Sequence, residues 1–232
     1  MARARLFASA LVAATVFGAA YAEAAPPPLG DSDAIAFYHE QADAYSRVPG
    51  MTLVETGFFF MRPSANHSVD YWWGSKPPAG YVAATATVHA RLIDGKIVAY
   101  LAQLRAPKVR QLRILMAGGQ VFTRTTTCWR KSQPGASPFG TGDRYVFNDG
   151  GARFAPRAGN GVTFTYLWTP GAKATETNVF SAGSKPAPVK IAIKVGGAKS
   201  LSIHKSIAPL HAAPTLPVPS PPALPAPKPI CT

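Results

Sequence analysis

The chain has 232 residues, 47% of them hydrophobic, and a formal net charge of +13. That length supports one ordinary domain with a core that does not depend on many disulfides, which sets aside the small disulfide-dense modules. The charge is uneven: from Glu23 to Ala90 three basic residues face seven acids, and from Arg91 to Thr232 nineteen face four.

Residues 1–22 read as a cleavable signal peptide. Arg3 and Arg5 form the basic start, an uncharged run extends from Leu6 to Ala20, and Ala20-Tyr21-Ala22 supplies the small residues of a cleavage site. The run is shorter than the roughly 20 residues that span a bilayer. No cysteine lies near the site, and charges or prolines interrupt every later apolar stretch. The expectation is a secreted or periplasmic, cell-envelope protein that does not span a membrane after cleavage. In that setting Cys128 and Cys231 are expected to form a disulfide closing a loop of about 100 residues, worth roughly 4 kcal/mol if unstrained. Two free thiols, or a bond from Cys231 to another chain, are the alternatives.

Residues 23–30 read as a flexible lead-in, 31–207 as a β-rich domain and 208–232 as a Pro-rich tail. The domain opens on a helix from Asp31 to Arg47. Asp31 or Ser32 can cap it, and Ile35, Tyr38, Ala42 and Tyr45 make one apolar stripe. Pro49-Gly50 ends it. Strands follow at Met51–Met61, Asp70–Trp73, Tyr81–Ile93 and Lys96–Arg105, the last two flanking the hairpin signal Asp94-Gly95. Val109–Met116 and Gln120–Thr127 flank Gly118-Gly119; Arg144–Asn148 and Ala152–Phe154 flank Asp149-Gly150-Gly151. Val162–Thr169 and Val189–Val195 alternate apolar with polar residues, and Gly196-Gly197 turns into Leu201–Ile207. Such alternation marks an antiparallel sheet with one covered face. Nine prolines in the last 25 residues bar a helix or a central strand there.

Catalytic patterns are missing from the sequence. His39-Glu40 is followed at the fourth position by Asp43 rather than His, which breaks the zinc-protease pattern and leaves two groups on a solvated helix face. His67 and Asp70 lie close in sequence, but no serine has a nucleophile-elbow context. His89, His204 and His211 are isolated, and there is neither a phosphate-binding nor a dinucleotide-binding glycine loop. The expectation is a non-enzymatic protein with no metal and no cofactor.

The aromatic residues carry more. Phe58-Phe59-Phe60 sends rings to both faces of one strand: Leu53, Gly57, Phe59 and Met61 share one, and Val54, Phe58 and Phe60 the other. A strand apolar on both sides is either central between two layers or covers a core on one side and a greasy ligand on the other.

One amphipathic helix, a long apolar strand and consecutive hairpins, with Tyr45-Ser-Arg-Val48 leading into Thr52–Met61 and the strand–glycine turn–strand of Leu112–Trp129, resemble the LolA-like bacterial lipoprotein carriers and their lipid-binding relatives. The resemblance implies a mainly β fold, an antiparallel unclosed half-barrel with an N-terminal amphipathic helix packed on it. It implies as ligand a lipid or the acyl chain of a lipoprotein. Unlike many of that family the chain has no lipobox, and it adds the Pro-rich tail. Alternation gives the expected lining as Val54, Phe58, Phe60, Trp73, Tyr100, Phe122, Phe164, Tyr166 and Trp168. A filled β-sandwich that binds anionic membranes or wall polymers by charge is the rival reading. Export and the lack of any recognised motif argue against nucleic acid.

Overall fold

A computed structural model describes residues 27–63, 69–74, 76–124, 129–132, 139, 149–182, 185–196 and 201–217. The signal-peptide reading, the Cys128–Cys231 bond, the strand expected at Arg144–Asn148 and most of the Pro-rich tail lie outside these residues.

The chain is mainly β. After a two-residue strand, β1 (Leu29–Gly30), the single helix among the described residues, α1, spans Ser32–Ser46. Asp31 caps it by accepting a hydrogen bond from the Ala34 amide at 2.8 Å, satisfying one of the free donors of the first turn. The buried stripe is Ala34, Tyr38, Gln41, Ala42 and Tyr45. Ile35, expected in it, is only half-buried.

Twelve further strands follow: β2 (Gly50–Pro63), β3 (Val69–Trp73), β4 (Val82–Ile93), β5 (Lys96–Arg105), β6 (Leu112–Ala117), β7 (Gln120–Arg124), β8 (Arg130–Lys131), β9 (Arg153–Phe154), β10 (Gly161–Thr169), β11 (Ala172–Phe180), β12 (Val189–Val195) and β13 (Leu201–Leu210). All belong to one 13-stranded sheet that does not close, in the order β1-β9-β10-β11-β12-β13-β2-β4-β5-β6-β7-β8, with β3 also paired to β2. Among the described residues only β1 and β9 pair in parallel; every other strand pair is antiparallel. The Asp94-Gly95 turn has both central residues at positive φ, 50° and 74°, the conformation that matches the right-handed twist of the strands it joins. Between β5 and β6, Lys108 adopts a φ of 59° within a loop that runs to Gln111, so β6 starts later than the apolar run Val109–Met116 implies.

β2 is the spine of the sheet. It pairs with β4 along one side; along the other it pairs with β13 as far as Thr56 and with β3 from Phe59. The change of partner falls at Gly57. Its φ is +86°, and a Cβ there would lie 2.0 Å from the Ser202 carbonyl oxygen, so only glycine fits.

One face of the sheet meets α1. Tyr38 packs edge-on against Phe154 at 5.4 Å and Phe164 at 5.2 Å. Tyr45 reaches across the sheet, its hydroxyl donating to the Ala187 carbonyl at 2.9 Å, with the Ile207 carbonyl at 3.4 Å. Further along the same core, Phe139 is fully buried against Phe59 and Tyr100. Each such large apolar side chain contributes roughly 1.5–3 kcal/mol by leaving water. Outside the core, His39 and Glu40 are exposed and tie the helix to Asp149 and Lys185. β13 extends three residues beyond Ile207. Pro209 is accommodated opposite Met51 because the pairing with β12 stops at Ile207, so position 209 has a strand neighbour on one side only. The tail then folds back to Gly50 and Arg91, where the Arg91 guanidinium donates to the Pro214 carbonyl.

Candidate functional site

The nine aromatic and apolar positions expected to line one cavity do not share one face. Tyr100 and Phe164 are in phase with the core and buried within it. Tyr166 lies on that same face, half-buried, and Trp168 follows it at the exposed end of β10. Trp73 pairs with Phe59 by register and stacks on Tyr71 at 5.5 Å, yet is 42% exposed. Phe58 sits at the irregularity beside Gly57 and packs on the core edge-to-face with Phe59. Val54 and Phe60 alternate with the buried set, and Phe122, opposite Leu115, lies on that other face too.

Two other features stand out. The first is a polar cluster inside the apolar face. Register aligns Asn178, Ile191, Lys205, Glu55 and Ala86 in one row across β11, β12, β13, β2 and β4, with Glu176 and Tyr166 one step away. Glu55, Glu176 and Asn178 are all buried, and the Lys205 side chain is nearly so. Lys205 Nζ lies 3.9 Å from Glu55 Oε1. The Tyr166 hydroxyl donates to Glu176 Oε2 at 3.1 Å. Burial pushes the Glu176 carboxyl above the usual range, and the Lys205 charge, then Asn178 and Tyr166, only partly offset it. Burial also drives the Tyr166 hydroxyl upward, reinforced by the Glu176 charge and their shared hydrogen bond, so Tyr166 is a neutral donor. Asn178 is close enough to favour the Glu176 charge, but neither of its amide atoms completes a hydrogen bond of good geometry. Taking these groups out of water costs several kcal/mol per ion, which pairing only partly returns.

The second feature is a groove of about 350 Å³ on the face opposite α1, crossing β11, β12, β13 and β2. Its apolar surface comes from Val54, Val179 and Ala192, with Thr56 and Thr177 between them. Lys190 and His204 also line it, on the two central strands β12 and β13. Val54 and Val179 are 36% and 48% exposed, unusual for β-branched residues in the middle of a sheet. Thr177, Ala192, His204 and Thr56 form one cross-strand row, and Val179, Lys190, Ser206 and Val54 the next, the shortest side chains, Ala192 and Ser206, lying on the central strands β12 and β13.

No family model matches the chain, and no curated protein matches it.

Sequence reasoning named Val54 and Tyr166 but missed Val179, Lys190 and the buried Glu55, Glu176, Asn178 and Lys205. One signal was present: Glu55 falls in phase with Met51, Leu53, Phe59 and Met61, where a carboxylate has no place unless something pairs with it. Among the described residues no helix is long and apolar enough to cross a membrane.

Proposed function

We propose that the chain is a non-enzymatic, exported binding protein for an anionic amphiphile, a lipid or the acyl chain of a lipoprotein, carried by an unclosed β half-barrel with α1 packed on it. The observation that carries the reading is the groove of about 350 Å³ lined by Val54, Val179 and Ala192 on an apolar floor, with Lys190 among them. Methylenes laid on that floor each contribute up to about 0.8 kcal/mol. A lysine beside the groove suits a phosphate or carboxylate head group. The resemblance to lipid carriers points the same way, with the ligand on the open face, where one of the nine expected lining residues, Val54, lies.

The test is saturable binding of a fluorescent fatty acid to the mature protein. Val54→Asp and Val179→Asp place a charge on the floor, where covering it would be costly to desolvate. Both sites are exposed, so the fold tolerates them. Each is expected to weaken binding about tenfold, and Lys190→Glu to weaken an anionic probe more than its neutral alcohol. Binding that survives all three substitutions unchanged would rule out the groove as the ligand site.

A further inference from the structure

The strands have two ends with different surfaces. One end carries the tight Asp94-Gly95 turn, the turn at Gly118-Gly119 and the first residues of the tail against Gly50. The other carries β3, the start of β4, the β5–β6 loop, the end of β7 and the β10–β11 turn, as the antiparallel registers require.

This second end concentrates apolar exposure. Trp72, Trp73, Val82, Leu167 and Trp168 are 36% to 70% exposed, and they make up half of the large exposed hydrophobic side chains among the described residues. Scattered single apolar residues need no explanation, but three tryptophans at one end of a sheet do. Positive charge is concentrated here as well. Among the described residues of 62–82, 104–112, 122–130, 166–174 and 194–196 there are nine Lys or Arg and one acid, Asp70. Asp70 lies 3.6 Å from Arg62, so its charge is already matched. Arg62 also lies over the Tyr81 ring at 4.9 Å, and Arg124 over Trp129 at 5.8 Å. The basic residues most free to meet a partner are Arg105, Lys108, Arg110, Lys173 and Lys194, all exposed.

We propose that this end docks on the surface of a bilayer containing anionic phospholipid. Tryptophans prefer the boundary between head groups and acyl chains, where one part of the indole is apolar and the N–H still finds a partner. Lys and Arg beside them are drawn to the negative surface potential. Charge alone would fit any polyanion. Leu167, 70% exposed at a hairpin end, has nothing to gain from a hydrated polymer but does from acyl chains. Docking rests on different residues from the amphiphile groove, and either can hold without the other.

The experiment is co-sedimentation of the mature protein with phosphatidylcholine vesicles with and without phosphatidylglycerol. Binding is expected only with phosphatidylglycerol, and molar salt should weaken it. Leu167→Asp with Trp168→Ser, and separately Lys108→Glu with Arg110→Glu, should each reduce it about tenfold or more. Circular dichroism melts of these variants should match the parent because the side chains are exposed. Val54→Asp and Val179→Asp should sediment like the parent, which separates this surface from the groove. Equal binding to both vesicle types would overturn the proposal. So would unchanged binding by either double variant, or retention on a soluble polyanion as strong as on vesicles and insensitive to Leu167→Asp with Trp168→Ser.

Discussion

Replacing Glu176 by Gln tests the buried cluster most sharply. Glu176 is 7% exposed, and burial raises its pKa above the usual 4.5 despite Lys205 nearby. A carboxyl raised in the folded state binds its proton more tightly there than in the unfolded chain. Its contribution to stability is therefore full below the unfolded pKa and is lost as pH rises through the folded pKa, by about 1.4 kcal/mol for each tenfold difference in proton affinity between the two states. Gln keeps an oxygen to accept the Tyr166 hydroxyl and removes the titration. It leaves Lys205 paired with Glu55 at 3.9 Å. The expected result in urea unfolding is near-equal stability of variant and parent at pH 4. At pH 8 the variant should be the more stable of the two. A variant that is less stable at pH 8, or a difference that does not change with pH, would mean that Lys205 outweighs burial and that Glu176 is an ordinary charged partner.

Gly57→Ala should destabilise the domain by more than about 2 kcal/mol in the same assay, since it forces a Cβ onto the Ser202 carbonyl at a positive φ. A loss below about 0.5 kcal/mol would show that β2 and β13 can separate there at little cost. Asp31→Ala removes the cap on the Ala34 amide and should cost about 1 kcal/mol, while Asp31→Asn should restore most of it.

Much of the sheet is legible from alternation and turn chemistry. Lys96–Arg105 and Val189–Val195 end where the pattern says because Asp94-Gly95 fixes one hairpin and a strict apolar-in, lysine-out rhythm defines the other. β11 is invisible to that reasoning. Its inward positions are Ala174, Glu176, Asn178 and Phe180, so the rhythm fails at the two residues this strand gives to the polar cluster. The nine expected lining residues fall on both faces for a related reason. Alternation separates the two faces of each strand but does not say which face neighbouring strands share, and register puts Tyr100 in phase with Ala90 and Met51 in the core. The groove depends on which residues are neighbours across four strands, a property of register that no single segment carries.

Amphiphile binding is tested most directly by native mass spectrometry of the protein purified, without detergent, from the cells that produce it. The expected result is a species heavier than the polypeptide by the mass of one lipid or acyl compound, which organic extraction removes and Val54→Asp diminishes. Repeated native preparations that show only the polypeptide mass, and that acquire none on incubation with phospholipid or fatty acid, would contradict it.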